Sequence, residues 1–159
     1  GIPVVLIGDD IVPFPDRSEF DLVGVNAMME RLRAERRLVA AGARDVRYLL
    51  AEEAQSLHET LEGHPEADAW ICSSCAGAAM AVEELTALGR KVPEDVRVAG
   101  YELPCRQIAQ AAFARLMERL ATPTLPPSEI YLTGRPLGQD FFRKIGIKSQ
   151  KETKTIKYQ

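Results

Sequence analysis

Cysteine is scarce in this chain: Cys72, Cys75 and Cys105 are the only three in 159 residues. An odd number this small is not a disulfide scaffold, and it fits a reducing cytoplasm. Cys72 and Cys75 form a C-x-x-C, which reads as a redox pair or as half a zinc site, but a tetrahedral site needs a second pair at comparable spacing and none is present. Histidine is scarcer still, with His58 and His64 in a polar stretch that has no ligand pattern, so no metal and no cofactor is expected. Long apolar runs are missing too. The longest are strand-length, short of the roughly 20 residues that cross a bilayer, and no membrane partner is expected. No charged-then-apolar leader precedes the run IPVVLIG, which leaves no export signal. Neither G-x-G-x-x-G nor a Gly-Lys-Ser/Thr loop occurs, so the usual phosphate-cradling signatures are absent. Without a G-x-S-x-G elbow, two histidines on one polar stretch offer little to build a catalytic triad. Asp9-Asp10 has the look of a Mg²⁺-dependent phosphoryl site, yet the acceptor Asp and late Lys that such a site needs are not where the later strands end. The chain is therefore read as a non-enzyme.

What is present is an ordinary globular composition, with 46% apolar and 27% charged residues, in a length that suits one domain with a real core. The net charge of −3 conceals an asymmetry. Residues 1–142 carry fourteen basic against twenty-two acidic side chains, whereas residues 143–159 carry six basic ones and Glu152 alone. Five of the six lysines fall in that tail, so the expected division is an α/β region over 1–142 and a disordered or appended Lys-rich tail over 143–159. The RLRAERR cluster includes glutamate and apolar positions and reads as a solvated helix face rather than a nucleic-acid contact.

Along the body, short apolar runs alternate with longer segments of helical period, the pattern of a parallel sheet with crossover helices. Strands are expected at 3–8, 21–26, 45–51, 67–74, 96–102 and 129–135. Helices are expected over 27–41 with Gly42 as the stop, in a segment ending near Gly63, over 76–88 with Gly89 as the stop, and from about Ile108 to Leu120. Pro13 and Pro15 make the stretch from Asp9 to Phe20 a loop. The fold class that follows is α/β, a doubly wound, mostly parallel sheet of about six strands. Ligands of such sheets bind beyond the carboxyl ends of the strands, which directs attention to Asp9, Ser73, Ser74, Cys75 and Glu102.

The stretch WICSSCAGAAMAVEELTALGRKVPEDVRVAGYE, residues 70–102, reads as one right-handed βαβ unit. Its segment ALGRKVPEDVRVAGYE resembles the helix-turn-strand signature of LacI/GalR-type transcriptional regulators, in which a Val-Pro-Glu-Asp turn leads into a strand ending Gly-aromatic-Asp. GIPVVLIG, LVAAGARDVRYLLA and PPSEIYLTGR resemble other passages of that family in the same order, and together the likeness covers most of residues 1–138. It implies the effector-binding domain of such a regulator, a lobe like that of the type I periplasmic binding proteins with flavodoxin-like architecture. The helix-turn-helix that would touch DNA and the first strands of the effector domain are missing by that comparison, as are the family's segments between Leu50 and Ser56 and between Glu102 and Pro104.

The resemblance implies a small polar effector such as a sugar, held by Asp9, Ser74, Cys75 and Glu102, with DNA reached only through the missing domain and a homodimer as the assembly. Ser74-Cys75 stands where the family has Asn-Asp, and Glu102-Leu103 stands where it has an acidic pair. Against the sensor stands a different class of reading: a structural or self-association module, an engineered or truncated fragment included, that binds no effector.

Overall fold

The computed structural model describes residues 2–8, 16–49 and 54–144. Those residues form β1 (Val5–Ile7), β2 (Asp21–Val25), α1 (Ala27–Ala40), β3 (Val46–Leu49), α2 (Ala54–Glu62), β4 (Ala69–Cys72) and α3 (Cys75–Ala87). They continue with β5 (Arg97–Ala99), β6 (Tyr101–Glu102), α4 (Cys105–Ala121), β7 (Glu129–Leu132), β8 (Arg135–Pro136) and α5 (Gln139–Lys144). The alternation read from the sequence is an α/β fold with parallel sheets. Its strands are divided, however: β1-β2-β7 make one parallel sheet and β3-β4-β5 another. The chain correspondingly forms two compact units, Gly1–Glu30 with Leu103–Arg135 and Arg31–Glu102 with Pro136–Gln159. Apolar runs specify buried strands but not which sheet each strand joins, so periodicity alone suggests one sheet where the described strands fall into two parallel sheets and a two-stranded β6-β8 pair. The Lys-rich tail beyond Lys144 and residues 9–15 of the loop expected from Asp9 to Phe20 lie outside the described residues.

The second unit shows why its sheet is covered on both faces. Along β4, Trp70 and Cys72 point to one side, where they pack with Leu57 and Leu61 of α2 and Ala78, Ala81, Val82 and Leu85 of α3. Ala69 and Ile71 point to the other, against Ala34 and Leu38 of α1. The period of two in a strand sends adjacent side chains to opposite faces, and because both sets are apolar, both faces need a helix. Gly42 and Gly89 end α1 and α3 with positive φ, as the sequence suggests. The turn after Gly89 is held by polar contacts: Asp95 Oδ2 accepts the Lys91 N–H at 2.9 Å, and Arg90 donates to the Ala67 carbonyl at 2.8 Å, just ahead of β4.

In the first unit all of β2 is buried, and that includes Asp21, whose side chain has no exposure. Arg115 of α4 donates from Nε to Asp21 Oδ1 at 2.8 Å, Arg119 donates from Nε to Oδ2, and the Ser128 N–H reaches Oδ1 at 2.9 Å. The two guanidiniums also donate to the carbonyls of Leu125 and Pro126. Burial alone would raise the Asp21 carboxyl, but the hydrogen bonds from Arg119, Arg115 and Ser128 outweigh it and hold the group below the usual carboxylate range. On the same strand, Gly24 lies so close to β1 that a Cβ there would sit 1.6 Å from the Gly8 carbonyl oxygen.

Two outcomes are expected. Gly24→Ala must push backbone against backbone and should cost more than about 2 kcal/mol in a urea melt, since overpacking is relieved only by shifting a strand; a midpoint equal to that of the unaltered chain would refute the close approach. Asp21 has a folded pKa below its unfolded value of about 3.9, so its contribution is complete above that pH and is lost as the pH falls through the folded value. Asp21→Asn should therefore cost about 3–5 kcal/mol at pH 7, and less as the pH drops below about 4. A deficit unchanged down to pH 2 would show that ionisation of Asp21 is irrelevant.

Candidate functional site

The carboxyl ends of β3 and β4 open beside the amino end of α3, within the second unit. Ser74 leaves the strand in extended conformation and caps the helix, its Oγ accepting the Gly77 N–H at 3.0 Å. Capping satisfies one of the orphan donors of the first turn and fixes where α3 begins. Beside the cap is a pocket of about 280 Å³ lined by Leu49, Cys72, Ser73, Ser74, Ala76, Gly77 and Met80. Two serines are exposed at its rim, while Leu49 and Cys72 are buried beneath. Its volume is near the lower end of the roughly 300–1,000 Å³ usual for small-molecule sites, which suits a single small ring.

Of the residues singled out from the sequence, Ser74 lines this pocket. Cys75 is the first residue of α3, and its thiol donates weakly to the Tyr101 carbonyl at 4.0 Å. Glu102 follows Tyr101 directly, half-buried, near enough to act on Cys75: burial raises the thiol pKa, and the Glu102 carboxylate raises it further. Ser74, Cys75 and Glu102 are thus brought to one end of the unit. Asp9 lies outside the described residues. Sequence reasoning missed Gly77 and Met80, which look like ordinary helix residues, although Leu49 and Cys72 were findable as the last residues of two buried strands.

The two cysteines of the C-x-x-C are poor nucleophiles as placed. Burial pushes the Cys72 thiol up to about 12, and Cys75 is raised as well, so both remain protonated near neutral pH. The amino end of a helix usually lowers a thiol pKa, but here desolvation and a nearby carboxylate prevail. Both histidines sit on the surface beside carboxylates, His58 by Glu84 and Glu62, His64 by Glu66. The hydrogen bond that His58 donates to the Glu84 carboxylate raises the pKa of His58. Among the described residues no group of three or more His, Cys, Asp or Glu is arranged to hold a metal ion, and no helix is long and apolar enough to cross a membrane.

No family model matches this sequence, and no curated protein does either. Solved structures do. A transcriptional regulator CelR–cellobiose complex superposes with a TM-score of 0.70 over 84% of this chain and 57% of that one, at 17% identity. A LacI family transcriptional regulator from an Arthrobacter species in complex with lactose gives 0.69 over 86% of this chain and 68% of that one, at 19% identity. A LacI family regulator from Enterococcus faecalis with bound ribose gives 0.66 over 86% and 67%, at 14% identity. The chain thus spans little more than half the length of the cellobiose-bound regulator. At these identities what is shared is the fold, and the fold of this chain is that of LacI-family transcriptional regulators.

Proposed function

We propose that this chain is the sugar-sensing region of a LacI-like transcriptional regulator working in the cytoplasm, without enzymatic activity, whose DNA contacts are made by a helix-turn-helix outside this sequence. The observation that carries the reading is the pocket at the carboxyl ends of β3 and β4, where ligands of open α/β sheets bind. Regulators of this fold have been solved with cellobiose, lactose and ribose, which supports a sugar as the ligand class. In this reading the Ser73 and Ser74 hydroxyls supply hydrogen bonds to ligand hydroxyls, the wall of Leu49 and Met80 covers an apolar ring face, and Glu102 accepts from a further hydroxyl. Asp9 is proposed as a fourth polar partner. The Cys75 thiol, held protonated, is a weak donor rather than a charge. Binding would favour one arrangement of the chain over another, and the DNA-binding domain would respond to that shift.

A thermal-shift panel of neutral monosaccharides and disaccharides tests this. A ligand at 100 times its dissociation constant adds about 2.7 kcal/mol, several degrees for a protein of this size. Ala76 lines the pocket but is itself exposed, so Ala76→Phe should fill the space without disturbing the core and abolish the shift while leaving the unliganded melting temperature in place. The same shift in that variant would move binding away from this pocket, and no shift with any sugar would refute sugar sensing.

A further inference from the structure

The outer face of α1 has a composition that solvent exposure alone does not explain. Eight of its residues are exposed, and every one is Met, Leu, Val, Ala or Arg. No acidic side chain is among them, although acids outnumber bases twenty-two to fourteen over residues 1–142. The two glutamates of the helix are engaged elsewhere. Glu30 is buried and accepts the Gly134 N–H at 3.2 Å, while the half-buried Glu35 accepts the Tyr48 hydroxyl. Arg31 is withdrawn as well, its guanidinium stacked 3.8 Å from the centroid of the Tyr48 ring. That leaves Arg33, Arg36 and Arg37 exposed, like charges three and four residues apart, a spacing at which they weaken a helix instead of supporting it. A simply solvated face would alternate glutamate with arginine there. Only Arg37, in the last turn, has the helix dipole to account for it.

Beside this cationic bank runs an apolar stripe. At about 100° per residue, Met28, Leu32 and Val39 fall within about 40° of one another around the helix. They are 61%, 39% and 55% exposed. By the same spacing Arg36, Arg33 and Arg37 all follow on one side of the stripe. Met and Arg are enriched in protein interfaces, from which Lys and Glu are depleted. We infer that this face of α1 is a docking surface for an acidic amphipathic helix of a partner protein. The partner's apolar residues, at every third or fourth position, seat on Met28, Leu32 and Val39, and carboxylates along one of its flanks meet the arginines.

Other occupants match less of the face. A phosphate backbone answers the arginines but leaves the apolar stripe in water. A second copy docked through the same face would set three guanidiniums against three. A bilayer takes up a broad apolar face, and that of α1 is turned inward, where Ala34 and Leu38 pack with Ala69 and Ile71. An acidic helix satisfies both parts, since planar guanidiniums pair with carboxylates through two bonds at a time while the apolar side chains beside them pack together. α1 lies on the opposite face of its sheet from α2 and α3, and none of its residues lines the pocket, so the inference goes beyond sugar sensing and does not depend on it.

The probe is a fluorescently labelled peptide of about five helical turns, with leucines at three- and four-residue spacing and glutamates along one flank. Titrated with the 159-residue chain and followed by anisotropy, it should bind saturably at micromolar concentrations, and more weakly as salt is raised. Arg33→Gln combined with Arg36→Gln should weaken binding at least tenfold, and Met28→Gln combined with Val39→Gln at least threefold. All four positions are exposed, so circular dichroism should report an unchanged fold. Glu83→Gln, at an exposed position of α3, should leave binding as it was. Failure to saturate by 1 mM overturns the inference. So does equal binding of the same peptide with lysines in place of its glutamates, or a dependence on the arginines without one on Met28 and Val39. Tighter binding of duplex DNA or of anionic vesicles than of the peptide overturns it too.

Discussion

The buried carboxylate of Asp21 is the constraint on which the first unit depends. That unit is made from two stretches separated by seventy-two residues, and Asp21 belongs to the first while Arg115, Arg119 and Ser128 belong to the second. A carboxylate without water is tolerable only when charge and hydrogen bonds surround it, and all of them here come from the distant stretch. Removal of the second stretch would leave not merely an unfilled sheet edge but a naked charge at the start of the central strand. The same guanidiniums clasp the carbonyls of Leu125 and Pro126, so the cluster also sets the path by which the chain leaves α4 and enters β7. Apolar burial is directionless, but this network admits only one docking of α4 on its sheet.

Much of this architecture was legible in the residues. The runs DLVGV and AWIC announce strands buried on both faces, Gly42 and Gly89 mark helix stops, and the small residues after Cys75 announce a helix. The division into separate sheets was not legible, because the β2–β7 pairing brings Leu22 beside Glu129 and nothing local to either residue reveals it. Asp21 itself was overlooked for the same reason: one acidic residue opening a strand looks like a turn residue until its arginines, nearly a hundred positions away, are seen. Of the candidate site, Ser74, Cys75 and Glu102 were found by the rule that strand carboxyl ends hold ligands, whereas Gly77 and Met80 reach the pocket only through the turn of α3.

The residues that carry the likeness to the regulators are mostly not those at the pocket. Arg90, Lys91 and Asp95 belong to the motif that stands out in the sequence, and each is engaged in closing the turn between α3 and β5 or in tying it to the entrance of β4. Those contacts build the crossover, whatever the protein binds. The positions facing the pocket are chemically plain, mostly small residues with Leu49 and Met80 as an apolar wall. The fold can thus be shared at 17% identity with a cellobiose-bound regulator while the pocket has its own chemistry.

The discontinuity of the first unit also bears on the order in which the molecule is made. Strands β3, β4 and β5 with helices α1, α2 and α3 are contiguous in the chain, and a ribosome delivers all of them before any of α4 or β7. The long-range pairing of β2 with β7 must close a loop of more than a hundred residues, which by chain statistics costs about 4 kcal/mol if that loop is unstructured. Once the intervening sheet has condensed, its ends are drawn in and the effective loop is much shorter. Until then β1 and β2, made earlier, wait without their helix, two apolar strands with Asp21 still lacking its arginines, which makes the nascent first unit the part of this chain most exposed to chaperones and to aggregation.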